Sequence, residues 1–228
     1  MVNLLWKDIL ILKRFLWLAP LYGFFALFVF RSMPGGALGA GTVGVTYMLM
    51  SQAITLDDKN KSDVMLNSLP LRRKDIVLAK YLSVFLYAAL VILFFLLAQT
   101  VVTVIRIPIS ITKLSLTDIL GALITVVVLI SVYFPIYFKF GYLRSRIVGT
   151  ILFVVSIFFF PMGISLVQDV GGINNPILRT IVDSLQRVAG WLQYQADWQI
   201  ASYMLALALI LTATSALLSL RFYTRREF

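Results

Sequence analysis

Side chains that could carry out chemistry are scarce in this chain. Its 228 residues include no histidine and no cysteine, which removes the commonest general base and metal ligand and every disulfide or thiolate site. Hydroxyls such as those of Ser51, Thr55, Thr103 and Ser131 have no neighbouring base, and hydroxyls in apolar helices usually bond a helix backbone. The pattern GxxxxGK[ST], which would cradle the phosphates of ATP, is absent. The sequence therefore predicts no catalytic residue, no metal site and no cofactor bound by this chain.

The composition explains this scarcity, because it is that of a protein embedded in a lipid bilayer. Hydrophobic residues make up 61% of the chain, charged residues only 13%, and the mean hydropathy is +0.94. A soluble domain is about 45–50% apolar and about 25% charged. We expect a single transmembrane domain over residues 1–228, with no room for a large soluble domain beside it.

Six apolar segments are suited to cross the bilayer, which takes roughly 20 residues of helix. None of the six contains Asp, Glu, Lys or Arg. They are residues 15–30, 35–56, 82–105, 119–138, 147–167 and 198–220. The sequence thus predicts an all-α membrane protein with six transmembrane helices. The first segment is short, and the flanking side chains of Arg14 and Arg31 can extend outward to fit it.

The basic residues are divided unequally between the two sides of this arrangement. Of the 20 Lys and Arg residues, fifteen fall on the side of the two termini and of the loops after the second and fourth spans. The positive-inside rule therefore places both termini in the cytoplasm, together with residues 57–80. The same rule accounts for the net charge of +10. Because no basic run is long or interleaved with aromatic residues, we expect no nucleic-acid partner.

Two peripheral segments are expected to form helices that lie against the membrane. Residues 1–14 carry scattered charge, and the absence of a small-residue cleavage site argues against a signal peptide, so we expect an interfacial helix. In the outer connection 168–197, Asn175 and Pro176 mark a helix start. Apolar residues then fall on one face, which predicts an amphipathic outer helix before the last span. For this helix, a role as a lid over the ends of the spans is favoured over a role in substrate contact.

Small residues and prolines mark where the spans should pack and bend. Gly35 and Gly39 in the second span allow the close approach of another helix, either of this chain or of a second copy. Pro20, Pro135 and Pro161 interrupt the first, fourth and fifth spans. Each should free a backbone carbonyl that then needs another hydrogen-bond donor.

The one long, densely charged stretch is the loop of residues 57–80. Ser62 is predicted to cap a short helix, and Pro70 should end it after about two turns. Its apolar side chains and charged rim suit a groove in a soluble partner, whereas a loop that only sets topology would not need them. The predicted docking residues are Asp57, Asp58, Lys59, Asn60, Lys61, Ser62, Asp63, Val64, Met65, Leu66, Leu69 and Pro70. Behind them, Arg72, Arg73 and Lys74 should lie at the lipid headgroups, where each is attracted by about 1 kcal/mol.

The spans hold no ionisable group, although carriers driven by protons or ions usually place such groups near the midplane. A transporter built this way must take its energy from elsewhere. Three classes of protein remain. The chain is the membrane subunit of an exporter powered by a partner, a stand-alone carrier or channel, or a non-transporting immunity or sensor subunit.

The run "DDKNK…LNSLPLRRKDIVLAKY" after the second span resembles the loop of bacterial ABC type-2 permeases, in which an "LP.sR..iv..K" pattern precedes the third span. It is most similar to permease subunits of exporters for phenol-soluble modulins and related antimicrobial peptides. That family usually has an acidic residue leading the loop, a place that Asp57 and Asp58 can both fill. The resemblance implies a homodimer in the bacterial plasma membrane with two separate ATPase subunits, which bind the ATP and Mg²⁺. It also implies that the loop is the coupling helix and contacts the ATPase.

The resemblance further implies a substrate that is an amphipathic peptide or a hydrophobic compound. Aromatic residues make up 14% of the chain. We expect Tyr22, Phe24, Tyr47, Tyr133 and Tyr137 to line an apolar lateral path for it. The alternative is that these side chains anchor helix ends at the interface or fill the packing between helices. Two roles follow for such an exporter, namely export of the cell's own toxin and resistance to a foreign one.

Overall fold

The computed structural model describes residues 36–62, 72–105, 116–168 and 197–225, together with scattered single positions elsewhere. Within those residues every regular element is an α-helix. The five helices are α1 (Gly36–Lys59), α2 (Arg73–Val104), α3 (Leu116–Phe140), α4 (Tyr142–Gln168) and α5 (Asp197–Arg225). They coincide with the second to sixth predicted spans, and most extend a few residues beyond them. The first predicted span and the outer helix of 168–197 lie outside the described residues, apart from single positions.

Three of these helices are long and apolar enough to cross a membrane, namely Arg73–Val104, Leu116–Phe140 and Trp198–Arg225. Each is longer than the roughly 20 residues that a bilayer core requires. The chain is therefore a multi-pass membrane protein. The count of six spans and the cytoplasmic placement of the termini remain predictions.

α3 is the central helix of the described bundle, because it contacts each of the other four. Its side chains Ile130 and Phe134 are completely or almost completely buried. The largest apolar cluster surrounds them with residues of α1, α2 and α5. Close packing of this kind provides the dispersion contacts that hold helices together where lipid is as apolar as the side chains.

The proline of α3 is compensated by a hydroxyl of α5. Pro135 has no amide hydrogen, so the carbonyl of Ser131 loses its donor within the helix. The Ser215 hydroxyl donates to that carbonyl at 2.9 Å, which meets the predicted need for another donor. Tyr81 Oη of α2 lies 2.6 Å from Ser215 Oγ and 2.9 Å from Ser219 Oγ. Each hydroxyl has one proton, and that of Ser215 is used at the Ser131 carbonyl. Tyr81 must therefore donate to Ser215, and Ser219 must donate to Tyr81.

A single glycine separates α3 from α4. Gly141 has a φ of 79°, which side chains with a Cβ rarely adopt. Its amide donates to the carbonyl of Tyr137 at 2.9 Å, and its own carbonyl accepts from the amide of Ser145 at 3.3 Å. The same residue therefore ends one helix and begins the next. The stretch around Lys139 and Arg144, which the sequence analysis treated as a loop, is helical apart from this glycine.

Candidate coupling site

The loop predicted to dock a partner begins where α1 ends. Lys61 has a φ of 49°, and its amide bonds the carbonyl of Asp58 at 3.1 Å, which stops the helix. The carbonyl of Lys61 then accepts from the amide of Met65 at 3.3 Å. A new helical turn thus starts at Lys61. The prediction that Ser62 caps this turn is off by one residue, because Ser62 is already helical.

Most described side chains of the predicted docking set face away from the bundle. Asp58, Lys59, Asn60 and Lys61 are exposed, and Met65 is 63% exposed. Five further members of the set lie outside the described residues, namely Asp63, Val64, Leu66, Leu69 and Pro70. The described part therefore offers both charge and an apolar side chain to a partner, while the docking itself stays a prediction.

Asp57 differs from its neighbours, because it is buried within the chain. Only 3% of the residue is exposed. Lys7 Nζ donates to its Oδ1 at 2.9 Å, and Lys80 of α2 donates to its Oδ2. One carboxylate therefore joins the segment before the first predicted span, the end of α1 and the start of α2.

The charges of the two lysines decide the ionisation state of Asp57. Burial alone would raise the pKa of this carboxyl, but the ammonium groups of Lys80 and Lys7 outweigh that effect and hold its pKa below the usual value of an aspartate. Asp57 is thus a carboxylate at neutral pH. The Lys80 side chain is 11% exposed and that of Lys7 is 30% exposed, so water reaches the Lys7 contact more easily.

An apolar contact brings the segment of Lys7 to this position. Leu12 is fully buried in a cluster with residues of α1 and α2, among them Leu49 and Tyr87. Trp6 and Leu10, by contrast, are 61% and 53% exposed. The described positions of residues 1–14 therefore divide into side chains that contact the bundle and side chains that face away. Such a division suits the predicted interfacial helix, whose place in the membrane stays a prediction.

The predicted headgroup residues do not all behave alike. Arg72 and Lys74 are exposed. Arg73 is exposed as well. Its Nη1, however, donates to the carbonyls of Thr224 at 2.9 Å and Tyr223 at 3.3 Å. These are among the last carbonyls of α5, where the helix dipole favours a cation. Arg73 thus fastens the start of α2 to the end of α5, a role that sequence reasoning missed.

Three of the predicted substrate-path residues lie together between α1, α3 and α4. The rings of Tyr133 and Tyr137 stack with their centroids 6.2 Å apart. Tyr47 stacks on Phe153 of α4 at 4.6 Å. Tyr133 and Tyr137 are 3% and 6% exposed, so in this conformation they pack between helices and leave little surface for a ligand. Tyr22 and Phe24 lie outside the described residues.

A glycine makes this aromatic packing possible. A Cβ placed on Gly149 of α4 would be 2.5 Å from Cε2 of Tyr133 and 3.2 Å from the hydroxyl oxygen of Tyr47. The two helices can therefore approach this closely only because residue 149 has no side chain. By contrast, a Cβ on Gly39 would meet no atom within 4 Å. The predicted close approach at Gly39 is thus not made by another helix of the described chain.

Sequence position carried a signal for the Asp57 contact. Asp57 is the first residue after the second predicted span, and Lys80 comes two residues before the third. Consecutive spans run in opposite directions, so both residues lie at the same membrane boundary. No comparable signal pointed to Lys7 or to the contact between Arg73 and Thr224, which joins residues 151 positions apart.

A protein-family model described as an ABC-2 family transporter protein matches residues 3–224, which is nearly the whole chain. The comparisons with curated proteins and with solved structures gave no match. The matched range includes Lys7, the loop and α5 as far as Thr224. The contacts described above therefore all lie within it.

Proposed function

Because the chain belongs to the ABC-2 transporter family, we propose that it is the permease through which a separate ATPase drives amphipathic peptides or hydrophobic compounds out of the cell. Membership of the family makes it an ABC exporter permease in general, a transport subunit that works with an ATPase partner in a membrane. The nature of the substrate, the surface that docks the ATPase and the assembly as a homodimer belong to the proposal.

The observation that supports the docking proposal is the change in side-chain exposure along the loop. Asp57 is buried, whereas the next four residues are exposed and lead into a helical turn in which Met65 is 63% exposed. A short turn with an exposed apolar side chain and a charged rim suits a groove in a soluble protein. The sequence contains no phosphate-binding loop, so the chemical energy of ATP must reach the permease through such a contact.

We extend the proposal to the topology and to the assembly. Two copies of the chain would each cross the bacterial plasma membrane six times, with the loop and both termini in the cytoplasm and one ATPase on each loop. The distribution of basic residues and the resemblance of the loop support this arrangement. A lateral path beside Tyr47, Tyr133 and Tyr137 would open only when α1, α3 and α4 separate, because those rings are packed between helices here.

Co-purification with the ATPase tests docking, and the loop offers a matched pair of variants. Met65→Asp should abolish co-purification, because a carboxylate cannot enter an apolar groove without losing its hydration. Met65→Leu should retain it. Leu66→Asp and Leu69→Asp should behave as Met65→Asp does. Assembly and stimulated ATP hydrolysis that survive all three acidic changes would contradict the proposed docking surface.

Reconstitution in liposomes tests the substrate. With the ATPase and ATP present, a synthetic amphipathic helical peptide should be transported, and a scrambled peptide of equal composition without an apolar face should not. Transport by the permease alone would instead identify a stand-alone carrier or channel. Absence of flux with the partner present would favour an immunity or sensor subunit.

A further inference from the structure

Asp57 is the point at which three separate parts of the chain meet. Its two carboxylate oxygens accept from Lys7 and from Lys80, which are 50 and 23 residues away in the sequence. It directly precedes the exposed part of the loop and is itself buried. A residue in this position does not present its charge to a partner, but it does determine where the loop begins.

We propose that Asp57 is a positioning residue that holds the loop, the N-terminal segment and the start of α2 together, so that the three move as one body when the ATPase moves the loop. The inference rests on the proposed function. Movement of the loop would reach α1 and α2 in any case, because the chain is continuous there. The inference adds that the movement also reaches the N-terminal segment, through the contact between Lys7 and Asp57.

The Asp57 carboxylate links the three segments because it lies between two positively charged side chains. Without it, two ammonium groups would face each other at short range and repel. The Lys80 side chain is 11% exposed and has little access to water, whereas that of Lys7 is 30% exposed. Loss of the carboxylate should therefore remove the link between Lys7 and the loop.

A second contact keeps the N-terminal segment attached when the ion pair is lost. Leu12 is fully buried against α1 and α2 and does not depend on Asp57. Removing the Lys7 charge should thus leave a folded chain whose N-terminal segment is bound but no longer aligned with the loop. Assembly with the ATPase and transmission of its movement then become separable measurements.

The first experiment compares Lys7→Met with Lys7→Arg in the complex of permease and ATPase in liposomes. Lys7→Met should retain co-purification and basal ATP hydrolysis, but peptide transported per ATP hydrolysed should fall by about fivefold, the lower range of measured coupling between sites. Lys7→Arg should keep the ratio of the unmodified chain, because it keeps the cation. Arg146→Met removes an exposed cation elsewhere and should also leave the ratio unchanged.

The second experiment restores the link covalently, which is feasible because the chain has no cysteine of its own. In Lys7→Cys/Asp57→Cys, a short bis-methanethiosulfonate cross-linker, which forms a disulfide with each thiol and releases methanesulfinate, should raise transport per ATP. Reduction of these disulfides should lower it again. Equal ratios before and after reduction would refute the inference, as would an unchanged ratio in Lys7→Met. If the unmodified complex shows no ATP-driven transport, it is the proposed function that has failed.

Discussion

Gly149→Ala adds one methyl group where α4 meets the ring of Tyr133. The new Cβ would be 2.5 Å from Cε2 and 2.9 Å from Cδ2 of that ring. An ordinary contact requires at least 3.4 Å, so one partner would have to move by about 0.9 Å. The ring is 3% exposed and stacks on Tyr137, so its movement would disturb other packed side chains.

The expected change in the free energy of unfolding is the sum of two opposing effects. Overpacking of a well-filled interior costs about 1–3 kcal/mol. Alanine is better than glycine within a helix by about 0.8–1.0 kcal/mol, which offsets part of that cost. We therefore expect Gly149→Ala to lower the free energy of unfolding by about 1 kcal/mol. Gly121→Ala in α3, where a Cβ would meet no atom within 4 Å, should raise it by up to about 1 kcal/mol.

Reversible unfolding by SDS in mixed micelles, followed by circular dichroism, measures both variants against the unmodified chain. A further comparison tests whether the effect arises from the contact with the Tyr133 ring. In a Tyr133→Leu background the ring is absent, so Gly149→Ala should become neutral or stabilising. If Gly149→Ala is as stable as Gly121→Ala in the original background, the close approach of α3 and α4 at this glycine is not a constraint and the reasoning fails.

Three further predictions concern a buried hydroxyl, a glycine with a left-handed backbone and a buried carboxylate. Thr46 is buried and its hydroxyl has no hydrogen-bond partner among the residues that the structure describes, so Thr46→Val should raise the free energy of unfolding by about 1 kcal/mol. Thr55→Val, which loses bonds to Tyr142 and Ser51, should lower the free energy of unfolding in the same SDS assay. Gly141→Ala should cost about 1–2 kcal/mol because of the left-handed backbone, and Gly141→Asn, which tolerates that backbone better, should cost less. The lowered pKa of Asp57, which Lys7 and Lys80 face, should stabilise the chain fully above pH about 4, and this contribution should be lost as the pH falls through the folded-state pKa. The difference in melting temperature between the unmodified chain and Asp57→Asn should then be constant from pH 5 to 8 and shrink in acid; a constant difference down to pH 2 would contradict it.

Local patterns in the sequence were sufficient to locate most of the described fold. Apolar runs free of charge gave the positions of α1 to α5 to within a few residues at most ends, because a helix that crosses lipid must be apolar along its length. Pro135 predicted a carbonyl in need of a donor, because the missing amide hydrogen is a property of the residue itself. The donor, Ser215, could not be identified, since nothing local to α3 indicates which neighbour approaches it.

The candidate site was only partly predictable for a related reason. Asp57 and Asp58 are chemically the same and adjacent, yet one is buried and the other exposed. Neighbours on a helix point about 100° apart, so the orientation of α1 about its own axis decides which of the two faces Lys80. That orientation is set by packing against other helices. Arg73 shows the same limit, because its partners are about 150 residues away on α5.

The compensation of Pro135 by Ser215 has a consequence for the order in which substitutions can accumulate in this lineage. If residue 215 first became apolar, the carbonyl of Ser131 would be left without a donor in an apolar interior. If proline 135 were first replaced by alanine, the helix would supply its own amide, and residue 215 would then be free to change. We therefore expect related chains with an apolar residue at 215 to lack the proline, and chains that keep the proline to keep a hydroxyl opposite it.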